Sequence, residues 1–306
     1  SRRRSPRRDA NGKVHRYLEL LVVADKMFLD FHKDKDYENY VLTVMNMVSD
    51  YYHDASVGNL IDVTVVRIVY LDQKVSALDL SISPAASKTL ESFCKWQNEI
   101  NPKDIDHPQH HDIAVLITRH DLCSESDGNK NCGLLGLAYM ATACEPASAC
   151  AINEDRGLVL GVVVAHEIGH VMGCGHDTEE ISGCPAKEDE TFYHVMSPYV
   201  SIATSVWSTC SRTYMNQLFE NNLGNCLNDE PPESSYKFDE MTPGAMYDAD
   251  YQCNLLFPGS THCETDPEKF CEKLFCRVDP KKCISNGEPP ADGSKCGAEK
   301  VSFDSN

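Results

Sequence analysis

The chain has 306 residues, 42% hydrophobic and 25% charged, enough for one sizeable core plus a small second unit or for two modest domains. Its formal charge is −19; five arginines lie in the first eight residues, so the remainder stands at 23 basic against 47 acidic, or −24. Such a surface repels nucleic acid and anionic membranes, no run of about 18 apolar residues offers a membrane span, and fifteen cysteines argue for a disulfide framework in an oxidising compartment.

"SRRRSPRR" (1–8) lacks the apolar stretch of a signal peptide; within it, Arg4 to Arg7 fits the loose R-x-x-R pattern of proprotein cleavage, with a disordered basic tail as the alternative. "HRYLELLVVAD" (15–25) reads as a strand stopped at Asp25. Residues 37–56 carry Tyr40, Val41, Val44, Met45, Val48 and Tyr51 at helical spacing, and 61–72 read as a second strand. A helix over 83–101 is opened by Ser83 with Pro84 in its first turn, and 111–119 form a third strand, apolar enough for a sheet covered on both faces. Residues 157–173 are the next helix. The alternation predicts an α/β fold: a mostly parallel twisted sheet with helices on both faces.

Composition shifts near residue 227. A basic tail (1–13), a catalytic-size domain (14–227), a Pro-, Ser- and acid-rich linker (228–245) and a cysteine-rich module (246–306) are the expected units. Six cysteines with few large aliphatics make the last unit one that is stapled rather than cored.

"HEIGHVMGCGHD" (166–177) carries the chemistry. On a helix, His166 and His170 stand one turn apart on one face, so both imidazoles reach one ion at about 2.0–2.1 Å. Glu167, one position round, misses the ion but reaches a water bound to it. A continued helix would carry His176 away. Glycine tolerates positive φ, so the chain is expected to leave the helix at Gly173, with Gly175 as a second hinge, and bring His176 back as third ligand. Three imidazoles leave an open position, the mark of a catalytic zinc. By composition the whole pattern arises by chance about once in ten thousand such chains. Apolar neighbours from Val162 to Met172 make surface histidines a poor alternative.

The extended motif H-E-x-x-H-x-x-G-x-x-H is the metzincin signature. "HVMSP" supplies Met196 as the methionine turn, and Asp177 points to the adamalysin (reprolysin) branch. Together with "TLESFCKWQNEINP", "HDIAVLITRHDLC", "CAINEDRGL", "LGNCLND" and "PGAMYDADYQC", the chain resembles the ADAMTS family of secreted proteases over residues 14 to 296. The resemblance implies a zincin-type fold, a shortened disintegrin-like module and zinc-assisted peptide hydrolysis with Glu167 as general base. It also implies a calcium cluster from Glu19, Asp112, the carbonyl of Cys226, Asp229 and one acid of "KDIDH", Asp104 or Asp106. The implied disulfides are Cys94–Cys150, Cys123–Cys132, Cys144–Cys226, Cys184–Cys210, Cys253–Cys276 and Cys263–Cys283. Cys174 is left as a buried thiol, with competition for zinc as the rival, and Cys271 and Cys296 lack their usual partners and are candidates to pair with each other.

The W-x-x-W pattern, R-G-D and N-x-S/T are absent. The leading expectation is a secreted, monomeric, zinc-dependent endopeptidase acting on extracellular or matrix protein, with no nucleic-acid partner and no membrane insertion. A venom or salivary toxin of the same chemistry and an interaction protein acting through its cysteine-rich tail are the alternatives. Acidity over 177–194 suggests basic or neutral substrates.

Overall fold

The computed structural model describes residues 7–10, 12–72, 79–126, 129–179, 183–187, 192–204, 206–238, 241–263 and 267–295. The Arg4-to-Arg7 processing pattern, Cys296 and parts of the acidic stretch 177–194 lie wholly or partly outside them.

Strand β1 (His15–Ala24) shows how the layers arise. Leu18, Leu20, Val22 and Ala24 enter one buried cluster, while Leu21 and Val23 enter another on the opposite face, the period of two expected of a strand covered on both sides. Asp25 ends it by accepting from Phe28 N at 2.8 Å, which caps α1 (Lys26–His32). This helix is not legible in the sequence, because seven residues are too few to display a helical period.

Helix α2 (Tyr37–His53) buries Tyr40, Val41, Val44, Met45 and Val48 against the first cluster. It stops short of the expected residue 56, since Asp54 accepts from Ser56 N and opens a separate 3-10 turn. Next come β2 (Leu60–Tyr70) and α3 (Ala86–Ile100), whose Leu90, Phe93, Cys94 and Trp96 fill the second cluster. This helix starts later than expected. Cys123 N donates to the Pro84 carbonyl at 2.7 Å and Ala86 N to the Cys123 carbonyl at 3.0 Å, so residues 84–86 are engaged in a bridge and Ala85, not Ser83, stands at the N-cap.

The remaining strands are β3 (Ile113–Thr118), a small hairpin of β4 (Ser124–Ser126) and β5 (Asn129–Asn131), β6 (Gly136–Ala138) and β7 (Cys150–Glu154). Among the described residues the main sheet runs β2-β1-β3-β7-β6, parallel except for the antiparallel edge strand β6. Neither β6 nor β7 was foreseen, although all five residues of β7 are buried. Helix α4 (Leu160–Val171) follows β7 and packs into the first cluster beside α2, and α5 (Thr209–Glu220) closes that layer.

The turn between β7 and α4 is fixed by a buried polar network. Asp155 accepts from the Tyr40 hydroxyl at 2.8 Å, from Gly157 N at 3.0 Å and from Arg119 at 3.2 Å, and His32 Nε2 lies 2.8 Å away. Burial opposes its ionisation, yet the His32 bond and the Arg119 charge hold its carboxyl below the ordinary value.

The linker stretch ends in α6 (Pro243–Met246), so the expected boundary after residue 245 falls inside a helical turn; the Thr242 carbonyl accepts from Ala245 N and Met246 N. Beyond it lie α7 (Ala249–Leu256), β8 (Thr261–His262), α8 (Pro267–Glu272), β9 (Cys276–Asp279) and β10 (Lys282–Ile284), the strands forming a small antiparallel sheet. Among the described residues its own buried cluster is Cys253, Phe270, Leu274 and Cys276, too little apolar area to hold such a unit without cross-links. Disulfides join Cys94 to Cys150, Cys123 to Cys132, Cys144 to Cys226, Cys184 to Cys210, Cys253 to Cys276 and Cys263 to Cys283. Cys271 is also disulfide-bonded, and Cys174 is a buried free thiol.

Candidate active site

Helix α4 carries His166, Glu167 and His170 along a stretch that is almost wholly buried. His166 Nδ1 stands 2.7 Å from the Val195 carbonyl and His170 Nδ1 stands 2.8 Å from the Cys174 carbonyl. A carbonyl only accepts, so both Nδ1 atoms hold the proton and both Nε2 atoms present a lone pair. His176 Nε2 lies 3.1 Å from each of them.

The return of His176 rests on one glycine. Gly173 has φ +92°, its N–H donates to the His170 carbonyl at 2.9 Å, and Cys174 N donates to the Gly169 carbonyl at 2.9 Å. This pair of bonds closes a Schellman motif with glycine at the left-handed position. Gly175, expected as a second hinge, is not among the positive-φ residues, and a Cβ built there meets nothing nearer than Tyr214 at 3.9 Å. One left-handed residue already reverses the chain, so Gly175's freedom is not used.

Do these residues fit a metal? Three nitrogens bound tetrahedrally at about 2.0–2.1 Å would stand about 3.3 Å apart. Two of the three separations here are 3.1 Å. Both are close to that spacing, and the three histidines form a ligand-competent group. Burial, then the neighbouring imidazoles, lowers His166 to about 3 and His170 to about 4, while burial lowers His176 as well. The rings are therefore neutral and available near pH 7. The donor set fits zinc.

Glu167 is buried, and its Oε2 has no hydrogen-bond partner among the described residues. Burial pushes its carboxyl up to about 8 in the protein without metal. Its position depends on the edge strand: a Cβ built on Gly136 would come within 2.6 Å of Glu167 Cγ and Oε1. Nothing in the sequence marked Gly136. Gly136→Ala should displace the carboxylate and cost peptide hydrolysis about 100-fold at unchanged zinc content, read from kcat/KM. Undiminished turnover in that variant would show that the contact does not matter.

Met196 lies under α4. A Cβ on Gly169 would stand 2.5 Å from its sulfur and 3.2 Å from the Trp207 ring, so only glycine lets the helix settle there. Asp177 is buried; its N–H donates to the Met196 carbonyl at 2.8 Å, and its Oδ1 accepts from the Ser208 hydroxyl at 2.6 Å. Ser208 in turn caps α5 by accepting from Ser211 N at 3.0 Å. The residue after the third histidine thus ties the methionine turn to a helix start. The Cys174 thiol points to the Ser211 carbonyl, 3.5 Å away, rather than toward the imidazoles, and burial pushes its pKa up. Both features leave it a small buried hydrophobe and weigh against competition for metal.

Far from this cluster in sequence, Glu19 and Asp112 are both buried, and Asp112 Oδ2 accepts from Glu19 N at 3.2 Å. Burial, then the charge of Asp229, pushes Glu19 up to about 8; burial, then Glu19 and Asp229, also raises Asp112. Glu19 and Asp112 are thus neighbours, and Asp229 is near enough to act on both by its charge, but the three carboxylates do not form a close ligand group as the three histidines do. Cys226 lies on the adjoining 3-10 turn (Asn225–Asn228), bonded to Cys144. Asp104 and Asp106 sit on an exposed turn, where Asp104 Oδ1 accepts from Asp106 N at 3.2 Å, and neither is among the charges acting on Glu19 or Asp112.

Comparison with known proteins matches residues 16–231 to the Reprolysin (M12B) family zinc metalloprotease model and residues 243–306 to the ADAMTS cysteine-rich domain 2 model. A disintegrin and metalloproteinase with thrombospondin motifs 7 of Rattus norvegicus is 39% identical over 303 residues, covering 98% of this chain and 18% of that protein. A disintegrin and metalloproteinase with thrombospondin motifs 6 of Homo sapiens is 40% identical over 299 residues, covering 95% of this chain and 26% of that one. The chain thus spans about a quarter or less of the length of these relatives. A solved structure described as "Structure of a chaperone-substrate complex" shares the fold alone, at TM-score 0.50 and 13% identity over 73% of this chain and 38% of that one. The chain belongs to the reprolysin (M12B) family of zinc metalloproteases, with an ADAMTS-type cysteine-rich domain after the protease domain.

Proposed function

We propose that the chain is a secreted zinc endopeptidase that hydrolyses peptide bonds of extracellular proteins. The observation that carries this reading is the convergence of three neutral imidazole nitrogens, with the next residue of the same helix, Glu167, burying a carboxylate oxygen that has no partner among the described residues. His166, His170 and His176 would hold the metal. When bound, zinc supplies Lewis-acid polarisation of the carbonyl to be cleaved and acidifies water. Glu167 Oε2 takes the proton of the attacking water and delivers it to the departing amine. Positive charge held at the three imidazoles favours the ionised, base-competent form of Glu167 over the protonated form that burial alone supports up to about pH 8. Gly136 leaves room for that carboxylate, and Met196 and Asp177 support the helix and loop that carry the ligands.

Glu19, Asp112, Asp229 and the Cys226 carbonyl would hold a structural calcium; the fifth ligand expected from Asp104 or Asp106 would have to come from an exposed turn whose charges do not act on Glu19 or Asp112. Support comes from two buried carboxylates, Glu19 and Asp112, with the half-buried Asp229 raising both by its charge, a set that oxygen-seeking calcium would neutralise. Secretion accords with the disulfides, and among the described residues no helix is long and apolar enough to cross a membrane.

Purified protein is expected to carry one zinc per chain and to cleave an unbiased peptide mixture. A zinc chelator should stop cleavage and added zinc restore it. Cleavage that survives complete zinc removal would end the proposal.

A further inference from the structure

A cleft of about 490 Å³ opens where the connector between α1 and α2 meets the start of α7, a size within the roughly 300–1,000 Å³ of small-ligand sites. None of His166, Glu167, His170 or His176 lines it. Its wall is a pair of tyrosines. Tyr247 and Tyr251 stack with ring centroids 4.7 Å apart and planes 25° from parallel, and Tyr247 rests edge-on against Tyr40 of α2 at 5.8 Å. From the connector, Lys35 Nζ stands 5.1 Å from the centroid of the Tyr251 ring.

Local bonds hold the polar lining in place. Asp248 Oδ1 caps α7 by accepting from Tyr251 N at 2.8 Å, which sets the backbone that carries the stacked ring. Asp250 Oδ1 accepts from His262 N at 2.7 Å, and Asn254 Oδ1 accepts from Gly259 N at 2.9 Å. Each carboxylate has a second oxygen to offer, and the Asn254 amide has two N–H donors. Behind the cleft α7 is anchored, since Leu255 enters the first buried cluster and Cys253 is bonded to Cys276. Lys35, Asp248 and Asp250 are exposed, so a ligand reaches them without any rearrangement of the core.

This lining discriminates between ligand classes. An anion meets Asp248 and Asp250, and a cation meets the Lys35 ammonium at the aromatic face. A wholly apolar ligand would take charged groups out of water without replacing their hydrogen bonds. A neutral pyranose avoids all three costs. Its hydroxyls accept from the ammonium and the amide and donate to the carboxylates, while its C–H face carries the partial positive charge that the negative face of a phenol ring attracts. We propose that the cleft binds one neutral hexopyranose unit, with Tyr251 stacked on the sugar face and Lys35, Asp248, Asp250 and Asn254 holding its hydroxyls. Lys35 has a flexible four-carbon stem, so its ammonium swings to the rim as the sugar takes the ring. The unit comes either as free sugar or as the end of a glycan on a protein. This binding is separate from hydrolysis and does not rest on the endopeptidase reading.

The test uses the full chain as wild type, Tyr251→Phe, Tyr251→Ala and Lys35→Met, with the methyl glycosides of glucose, galactose, mannose and N-acetylglucosamine as probes. Saturation-transfer NMR should show at least one glycoside bound through the C–H groups of one ring face, with Kd about 0.1–10 mM, as expected for so few ligand atoms. Tyr251→Phe keeps the ring and should bind like the wild type. Tyr251→Ala should bind about 10-fold more weakly or worse. Lys35→Met keeps the stem without the ammonium; it should weaken binding about 3–10-fold and decides the matter if Tyr251→Ala does not fold. A second arm offers immobilised glycoproteins with galactose-ended or mannose-ended glycans, before and after enzymatic removal of the glycan. Capture that is lost on deglycosylation assigns a protein-borne glycan, and glycoside binding without capture assigns the free sugar. No transfer from any of the four glycosides overturns the proposal. So does affinity that is unchanged in both Tyr251→Ala and Lys35→Met, or tighter binding of glucuronate or glucosamine than of the neutral sugars.

Discussion

Glu167→Gln is expected to lower peptide hydrolysis by about 10²–10⁴-fold, the range that a positioned general base contributes, while leaving zinc content and thermal stability near those of the wild type. The substitution keeps the shape of the side chain, so the space beside Gly136 stays filled. It removes the only function the carboxylate is asked to perform, accepting a proton at Oε2. Stability should hold or rise slightly, because a buried carboxyl without a partner at Oε2 costs more to bury than a neutral amide. The three imidazoles are oriented by the Val195 and Cys174 carbonyls and by Gly173, none of which depends on Glu167. Zinc measured by elemental analysis should therefore remain at one per chain. A variant retaining near wild-type kcat/KM would remove Glu167 from the reaction, whereas one that lost its zinc would show that the carboxylate supports the metal site instead.

Calcium removal should lower Tm by about 10 °C at pH 7.5 and by much less at pH 5. The sign follows from Glu19, whose carboxyl is raised in the folded chain from 4.5 to about 8, and from Asp112, which shifts the same way. An acid with a folded-state value above its unfolded value binds its proton more tightly when folded. Without a cation, its contribution is fully present below about pH 4.5 and is lost as pH rises through about 8. At pH 7.5 the carboxyl is ionised in the unfolded chain and still largely protonated in the calcium-free folded one, a cost on the order of 3–4 kcal/mol, and each kcal/mol moves Tm by about 2–4 °C in a domain of this size. A bound calcium would offset the repulsion by neutralising the carboxylates. Melting should be followed after dialysis against calcium-free buffer with zinc held constant. Glu19→Gln with Asp112→Asn is expected to make the protein insensitive to calcium and more stable than calcium-free wild type at pH 7.5. Equal melting with and without calcium at that pH would refute a structural calcium.

The sequence by itself determined what depends on neighbours along the chain. The alternation in β1 and the helical spacing in α2 and α3 were legible because burial on defined faces imposes a period of two or 3.6 on a continuous stretch. His166, Glu167, His170, Gly173 and His176 were legible for the same reason: four-residue spacing and one left-handed glycine place three imidazoles together through local geometry alone. Short elements were not. Helix α1 and strands β6 and β7 are shorter than the window in which a period shows, and Gly175 has the residue type of a hinge without serving as one.

Tertiary structure decided which distant groups complete the site. The Val195 carbonyl that sets the His166 tautomer lies 29 residues away, and Glu19 meets Asp112 across 93. Gly136 faces Glu167 only because β6 forms the edge of the sheet beside α4. Such pairs are fixed by how helices, sheet and disulfide-stapled module pack in three dimensions, and packing leaves no periodic trace at either partner.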